Sequence, residues 1–410
     1  MVSPVQQAPP CSPGRTRART AAVMCAGFCA FLTLFAPQPL LPLLASSFHA
    51  SEAAVSLVIT ASTLAVALAA PAAGVISDRF GRKRVMIAAA FLLALPTLLA
   101  ATAASLGQLV FWRFWQGVFT PGIFAVTIAY INEEWETGMG AAVAAYVSGT
   151  VLGGFSGRMV AGIVAAHGGW RWSFVALGLL NALGGVAIWR WLPGSRHFTA
   201  KRAGSPVLAP TLLHLRNPRL IATYVVGFCV LFTQIAAFTY INFYLAAPPF
   251  RLGTQALALL FVVYLVGAVI TPFAGRTIDR LGHRFALAIA FGGGIAGALL
   301  TLIPSFTAVL AGLALCCTGA FIANAAGSSF VGVLAHESRA AAVGLYVTSY
   351  YIGGTFGSAV PGYFWSLGGW PACVALIILV QLVTIGISLA YWDAPTEPAP
   401  IRSSTLRETP

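Results

Sequence analysis

Long apolar segments alternate with short polar breaks along almost the whole chain. A helix of about 20 apolar residues spans the hydrocarbon core of a bilayer, and these segments are long enough. A transmembrane barrel would instead show segments of roughly ten residues in which apolar and polar positions alternate. The pattern therefore predicts an all-α polytopic membrane protein with twelve transmembrane helices. The predicted spans, numbered 1 to 12 in chain order, cover residues 21–46, 53–76, 85–104, 108–131, 139–165, 171–193, 219–246, 254–278, 285–304, 307–331, 340–367 and 370–392.

The longest polar interruption between spans divides the chain into two halves of six spans each. This interruption is rich in basic residues and also contains Gly and Pro, as expected of a connecting loop. The predicted parts are an N-terminal tail at 1–20, a six-helix bundle at 21–193, a central loop at 194–218, a second six-helix bundle at 219–392 and a C-terminal tail at 393–410.

The two halves are repeats of one another. The segment YVSGTVLGGFSGRMVAG, which begins at Tyr146, matches YVTSYYIGGTFGSAVPG, which begins at Tyr346, 200 positions later. The GGW triplet at 168–170 recurs at 368–370 with the same offset. Because six spans return the chain to its starting side, both halves have the same topology. The sequence therefore predicts two parallel repeats related by an axis along the membrane normal.

The net charge of +13 sets the orientation of the spans. No basic stretch is interleaved with exposed aromatic residues, so we expect no nucleic-acid partner. Cytoplasmic loops of membrane proteins collect Lys and Arg, and only Arg171 and Arg251 fall in or beside the loops that would lie outside. Both termini and the central loop are therefore predicted to be cytoplasmic. The basic residues that this places inside, besides those of the central loop, are Arg15, Arg17, Arg19, Arg79, Arg82, Lys83, Arg84, Arg276, Arg280, Arg284, Arg339, Arg402 and Arg407.

Seven cysteines give an odd number, and six of them fall in apolar segments. We interpret them as packing residues and not as a disulfide framework. The N-terminal RTRART followed by an apolar segment is also typical of a secretory signal. The segment is longer than a signal core and contains PQPLLP, so span 1 is the preferred interpretation, with a signal peptide as the alternative.

Two charged loops interrupt the apolar pattern at matching points of the halves. They are GVISDRFGRKR at 74–84 and GRTIDRLGHR at 275–284, each joining the second span of a half to its third. Gly81 and Gly282 suit a tight turn with unusual dihedral angles, and Gly74 suits the close approach of a neighbouring helix. Asp78 is expected to accept hydrogen bonds from Arg79, from Arg82 or from a helix N-terminus. The alternative is that the basic residues serve only as topology anchors.

The spacing Gly-x3-Asp-Arg-x-Gly-Arg-Lys of the first loop resembles the signature of major facilitator superfamily transporters. The resemblance covers the whole chain, and "LPGSRHF" with "SGRMVAG" is similar to the YnfM-type subgroup of efflux transporters. It implies alternating access, a monomer, and multi-pass insertion in the plasma membrane of a bacterium, its inner membrane.

The resemblance also implies a cytoplasmic gate in which Asp78 and Arg82 link the two halves and a carboxylate at the end of span 4. Glu133 is preferred for that carboxylate, and Glu134 is the alternative. The second copy of the loop keeps Asp279, Arg280 and Gly282, but His283 stands where the first has Arg82. That histidine is interpreted either as a solvated side chain or as a pH-sensitive element of the gate.

Two membrane arginines are the candidates for coupling or substrate binding. Arg113 and Gln116 resemble the Arg-x-x-Gln-Gly motif of proton-coupled members, and an arginine inside a span is a functional candidate by default. The alternative for Arg113 is snorkelling to the interface. Arg158 is expected to line a central cavity, or else to bond backbone carbonyls. It follows a set of helix-packing glycines that resembles the antiporter signature, namely Gly149, Gly153, Gly154 and Gly157.

None of the ten acidic residues lies in the middle of a span. A cavity that holds two arginines and no acid favours an anionic or neutral polar substrate. Several polar residues within spans are candidate hydrogen-bonding groups for such a substrate, although each is also compatible with helix packing. They are Gln38, Asn181, Gln234, Tyr240, Asn242, Tyr264, Asn324, Tyr350 and Tyr351.

Signatures of other classes are missing from the sequence. Neither lysine follows a glycine, so there is no P-loop, and there is no His-Glu-x-x-His or Gly-x-Ser-x-Gly motif. We expect no cofactor and no metal. The first hypothesis, which the resemblance to the subgroup and the motifs of spans 4 and 5 imply, is proton-coupled efflux of a drug-like, sugar or metabolite substrate. The second is uniport or proton symport of an organic anion through Arg113 and Arg158, and a membrane enzyme or receptor is a third.

Overall fold

The computed structural model describes residues 13–135, 138–195, 214–335 and 339–392, and all regular secondary structure in these ranges is helical. In the first half, span 1 is broken into a helix at Pro13–Leu32, a 3-10 turn at Gln38–Leu40 and a helix at Leu41–Phe48. The others are span 2 at Glu52–Phe80, span 3 at Arg82–Ala100, span 4 at Leu106–Phe119 and Pro121–Glu134, span 5 at Met139–Gly168 and span 6 at Trp170–Trp191.

The second half repeats this order. Span 7 is one helix at Pro218–Ala246, and span 8 runs as Thr254–Leu259, a 3-10 turn at Leu260–Val262 and Val263–Leu281. Span 9 is His283–Leu300, span 10 is Phe306–Leu334, and span 11 is Arg339–Ala359 with a continuation from Pro361. A kink at Gly368 and Gly369 divides the helix Pro361–Tyr391 between spans 11 and 12. The predicted fold class is thereby confirmed, and span 1 begins earlier than predicted.

Composition agrees with this assignment. Nine helices in the described ranges are long and apolar enough to cross a membrane. Spans 1 and 8 are not among these nine because they are broken into shorter helices, and span 11 shares its last helix with span 12. Three predictions lie wholly or largely outside the described residues: most of the N-terminal tail, the central loop from 196 to 213, and the C-terminal tail.

Spans 1 and 5 touch backbone to backbone. A Cβ at Gly149, Gly153 or Gly157 would overlap a carbonyl of span 1, those of Met24, Phe28 and Leu32 respectively. Both series advance by four residues, the repeat that keeps side chains on one helix face. Close approach of spans 1 and 5 therefore requires glycine at these three positions.

We call the contact of Gly149, Gly153 and Gly157 with span 1 the seam. Gly154 does not belong to it, and its prediction as a packing glycine is wrong. A Cβ there would lie 3.5 Å from Nη1 of Arg158, which is ordinary contact. One residue turns a helix by about 100°, so Gly154 faces the cavity described below while Gly153 faces span 1.

The two ends of the molecule differ. We call the end where span 2 starts at Glu52 the closed end, and the end where Gly81 and Gly282 lie the basic end. At the closed end four side-chain hydrogen bonds join the halves among the described residues. They pair Ser56 with Tyr240 (3.2 Å), Thr60 with Ser358 (2.8 Å), Thr63 with Thr355 (3.2 Å) and Gln38 with Thr239 (3.3 Å).

The halves stand apart at the basic end. No atom lies within 4 Å of a Cβ placed at Gly74 of span 2 or at Gly344 of span 11. Val75 is 56% exposed and Ile76 is 48% exposed. The close approach predicted for Gly74 is therefore absent from this conformation, because the structure is open at the basic end.

Candidate functional site

A cavity of about 110 Å³ lies between the halves. Spans 1 and 5 line it from the first half, and spans 7, 8, 10 and 11 line it from the second. Six of the fifteen described residues that form its walls are aromatic, and none is acidic. The fifteen are Phe31, Phe35, Thr150, Val151, Gly154, Arg158, Leu231, Gln234, Ile235, Tyr264, Ala320, Phe321, Asn324, Tyr350 and Tyr351.

Arg158 is the charged group of this cavity. Its side chain is 2% exposed, and its Nη1 donates to the carbonyl of Gly154 at 2.7 Å, which is one turn earlier in span 5. Its Nε donates to Oε1 of Gln38 at 2.8 Å. The guanidinium lies 4.7 Å from the ring centre of Phe261 and 4.5 Å from that of Tyr264. Aromatic faces and neutral oxygens therefore hold this cation in the described structure, without a carboxylate.

Tyr264 adds a hydroxyl next to this cation. The Tyr264 hydroxyl is buried and interacts with the side chain of Gln234, but it makes no hydrogen bond of ordinary geometry in the described part of the chain. A buried hydroxyl without such a bond costs free energy, so it is suited to bind a group that enters the cavity. Phe261 and Phe35, whose ring centres lie within 5.4 Å of the guanidinium, were not singled out from the sequence. Nothing in the sequence distinguishes them from aromatic residues that face lipid.

Gln38 joins Arg158 to the second half of the protein. It is fully buried, and while its Oε1 accepts from Arg158, its Nε2 donates to the hydroxyl of Thr239 in span 7 at 3.3 Å. Gln38 begins the 3-10 turn in the break of span 1, and Pro37 and Pro39 flank it. Proline lacks the backbone N–H that a continuous helix would need at these positions.

Arg113 binds backbone carbonyls where span 1 is broken, and it does not line the cavity. Pro37 cannot donate to the carbonyl of Thr33, four residues earlier. Nη1 of Arg113 donates to that carbonyl at 2.9 Å, and Nη2 donates to the carbonyl of Leu34 at 2.5 Å. Further bonds run to the carbonyl of Val58 and the hydroxyl of Ser62 in span 2, at 3.0 and 2.8 Å.

The expectation that both arginines line the cavity is therefore wrong for Arg113. It is fully buried, so snorkelling is wrong as well. Gln116 accepts a hydrogen bond from Arg113 and donates to the carbonyl of Pro96 in span 3 at 3.3 Å. Arg113 and Gln116 together tie span 4 to spans 1, 2 and 3.

The other predicted polar residues separate into two groups. Asn324 and Tyr350 line the cavity, and Oδ1 of Asn324 accepts a hydrogen bond from the hydroxyl of Tyr346 at 3.1 Å. Asn242 lies away from the cavity, and its Nδ2 donates to Phe238 in its own helix at 2.6 Å. A place in the cavity is thus wrong for Asn242.

At the basic end, Arg82 lies between two carboxylates. Its Nη2 is 2.5 Å from Asp78 and 2.6 Å from Glu133, and its Nε lies 3.1 Å from the second oxygen of Glu133. Gly81 has φ of 93°, and Gly282 has φ of 79°, the positive values that the turns were expected to need. All three charged residues belong to the first half, so in this conformation the cluster joins spans 2, 3 and 4 and does not reach the second half.

The second loop has weaker partners. Nε2 of His283 lies 3.2 Å from the hydroxyl of Ser329, and Val333 occupies the position that matches Glu133. Asp279 and Arg280 are both exposed, as Arg79 is in the first loop.

Arg19 makes a further contact at the basic end that was not predicted. Its guanidinium stacks 3.6 Å from the ring centre of Trp135 and donates to the carbonyl of Glu134 at the end of span 4. The sequence showed Arg19 only as one of several basic residues near a membrane end. Metal binding finds no support among the described residues, where no cluster of three or more candidate ligands occurs.

Comparison with known proteins identifies the family. Residues 23–335 match the Major Facilitator Superfamily. The chain is 32% identical over 371 residues to the MFS-type transporter YybF of Bacillus subtilis, covering 90% of this chain and 92% of that protein. The chain belongs to the Major Facilitator Superfamily and is a multi-pass secondary transporter.

Other relatives agree with this assignment. The inner membrane transport protein YnfM of Escherichia coli is 31% identical, covering 89% of this chain and 88% of that protein. The 3-(3-hydroxy-phenyl)propionate transporter of Escherichia coli is 27% identical, covering 79% of this chain and 81% of that protein. Among solved structures, the nucleoside transporter NupG superposes with a TM-score of 0.75 at 16% identity, covering 91% of this chain and all of that chain.

Proposed function

We propose that this transporter carries a small organic anion with an aromatic or similarly flat apolar body. The observation that carries the proposal is Arg158, a buried cation in the central cavity whose described partners are all neutral. Removing a charge from water is costly unless it is paired. A carboxylate that enters the cavity would supply the missing counter-charge.

The walls of the cavity suit the rest of such a substrate. Phe31, Phe35 and Phe321 offer apolar faces, and the buried hydroxyl of Tyr264 makes no hydrogen bond of ordinary geometry among the described residues. Ligand sites of this kind combine apolar walls with a few placed polar groups. One relative carries the name of 3-(3-hydroxy-phenyl)propionate, an aromatic carboxylate, and this supports the same substrate class.

Alternating access would proceed from the conformation described here. We assign the basic end to the cytoplasm because Lys and Arg collect there, so the cavity is open inward and both termini are cytoplasmic. A monomer suffices, since both halves of the cavity come from one chain. The salt-bridged cluster of Asp78, Arg82 and Glu133 would meet the second half when the basic end closes.

Proton-coupled efflux is the second candidate. The seam of Gly149, Gly153 and Gly157 against span 1 keeps the close packing of the antiporter signature. Gly154 and Arg158 depart from that signature, and no described residue lining the cavity is acidic. Uniport or proton symport of an anion therefore has the stronger support.

A liposome assay tests both candidates. The purified protein is reconstituted with a trapped pH dye, and uptake of radiolabelled 3-phenylpropionate is compared with that of its neutral amide and of 3-phenylpropylamine. We expect transport of the acid alone, and its loss in Arg158→Gln but not in Arg190→Gln, an exposed arginine at the end of span 6. Transport of the amine, or unchanged transport in Arg158→Gln, would contradict the anion proposal. Proton flux opposite to the acid would show antiport, and parallel flux would show symport.

A further inference from the structure

We propose that Gln38 transmits the binding of an anion at Arg158 to the closed end of the protein. This inference rests on the proposed function and concerns how the cavity is coupled to the gate. Its basis is the side-chain amide of Gln38, which has one partner in each half. Oε1 accepts from Nε of Arg158 at 2.8 Å, and Nε2 donates to the hydroxyl of Thr239 at 3.3 Å.

The amide is held in a fixed place. Gln38 is fully buried, and its backbone lies in the break of span 1, where Arg113 binds the preceding carbonyls of Thr33 and Leu34. The backbone cannot follow the side chain when a partner changes. Loss of the bond on one side of the amide therefore alters the bond on the other side.

An anion competes with Gln38 for Arg158. A carboxylate binds a guanidinium best through two parallel N–H donors. Nη1 donates one of its two N–H groups to the carbonyl of Gly154, and Nε donates its single N–H to Gln38. Bidentate binding on the edge formed by Nε and Nη2 must displace Oε1 of Gln38. Gln38 is neutral, so a charged carboxylate is the stronger acceptor.

Displacement of Gln38 weakens the closed end. Thr239 is followed in span 7 by Tyr240, whose hydroxyl bonds Ser56 of the first half at 3.2 Å. The Gln38–Thr239 bond is one of the four side-chain bonds that join the halves at this end among the described residues. It is also the one of the four whose first-half member contacts the cavity cation. An empty cavity thus keeps the closed end shut, and an occupied one releases it.

The test measures the distance across the closed end. Spin labels are placed at Ser47 of the first half and Ser366 of the second, both exposed. The background replaces Cys11 and Cys25 by Ala, because the other five cysteines are buried. Distances are recorded in nanodiscs with and without 3-phenylpropionate, so the orientation in the membrane does not affect the result. In the parent protein we expect the probe to increase the population with the longer distance.

Two variants remove the link from opposite sides. Gln38→Leu removes both bonds, and Thr239→Val removes only the bond between the halves. Loss of one hydrogen bond is expected to raise the open population without probe about fivefold in each, and the probe then adds little. Thr233→Val is the matched control in span 7, because that hydroxyl bonds only carbonyls of its own helix among the described residues, and it should behave like the parent.

The outcomes separate this inference from the proposed function. Binding of radiolabelled 3-phenylpropionate is measured on the same variants and on Arg158→Gln. Normal binding by Arg158→Gln would refute the anion site itself. Lost binding in Arg158→Gln, together with parental distances in Gln38→Leu and Thr239→Val, would overturn only the role of Gln38. Thr239→Val should still bind the probe, since Arg158 and its surroundings are unchanged.

Discussion

The two halves build the same seam but carry different chemistry on it. In the first half, Gly153 and Gly157 of span 5 pack on the carbonyls of Phe28 and Leu32. In the second, Gly353 and Gly357 of span 11 pack on those of Phe228 and Phe232, each 200 positions later. The next position separates the halves, because Arg158 corresponds to Ser358. The repeat thus supplies the scaffold twice, while the cavity cation occurs in one copy.

The same contrast appears where span 1 breaks. Span 7, its counterpart, is one helix from Pro218 to Ala246, and Ala237 stands where the first half has Pro37. Leu313 stands where the first half has Arg113. An intact helix satisfies its own carbonyls, whereas a broken one needs donors from elsewhere. The arginine and the prolines therefore occur together as one structural device.

Arg113→Leu should give the largest effect, because it removes the donor on which the broken span 1 depends. It leaves the carbonyls of Thr33 and Leu34, at the break of span 1, without their donor, and each unsatisfied buried group costs about 1–3 kcal/mol. We expect a loss of roughly 3 kcal/mol or more, seen as a large drop in melting temperature and in folded yield. Fluorescence-detected size exclusion after heating measures both.

A combined variant is the control for that result. Pro37→Ala and Pro39→Thr introduce the residues of the second half at the matching positions. Added to Arg113→Leu, they should recover part of the melting temperature, because the helix can then satisfy its own carbonyls. If the single and combined variants are equally unstable, the account of Arg113 as the donor for the break is wrong.

Gly153→Ala should give an intermediate effect. The added methyl group overlaps the carbonyl and Cα of Phe28, and overpacking of this kind costs about 1–3 kcal/mol. Gly154→Ala is the matched control one residue away, since its Cβ meets nothing closer than 3.5 Å. Alanine is also the better helix former. Melting temperatures should fall for the first and hold or rise for the second, and equal effects would argue against a seam at Gly153.

The charged loops show the same asymmetry at the basic end. Arg82→Gln leaves Asp78 and Glu133 facing each other without a cation, but both carboxylates are about one third exposed, so water moderates the cost. We expect a loss of about 1 kcal/mol that shrinks in high salt, measured as the melting temperature at two ionic strengths. His283→Gln, the matching change in the second half, should have little effect. A loss for Arg82→Gln that does not respond to salt would contradict an electrostatic role.

The fold was largely predictable from the sequence, and the site was predictable only in part. Continuous apolar segments predicted the spans, because insertion in lipid depends on the composition of a whole span and not on single residues. The 200-residue repeat predicted their parallel arrangement. The role of Arg113 depends on Pro37, which is distant in sequence, and no local pattern shows that the two meet. Gly153 and Gly154 are identical letters whose different roles depend on the rotation of span 5 about its axis.

Ser349→Ala should have the smallest effect, and it concerns the seam of the second half. Ser349 stands 200 positions after Gly149, and its hydroxyl donates to the carbonyl of Tyr224 at 2.8 Å, where Gly149 packs on the carbonyl of Met24. The second seam thus keeps a side chain and gains a hydrogen bond where the first has only contact. Losing that bond should cost about 0.5–1.5 kcal/mol, seen as a small fall in melting temperature. Gly149→Ser should be far worse, because its Cβ would overlap the backbone of Met24. If Ser349→Ala and Gly149→Ser lower the melting temperature equally, the two helices of the first seam are not packed more closely than those of the second, and this account of the seams is wrong.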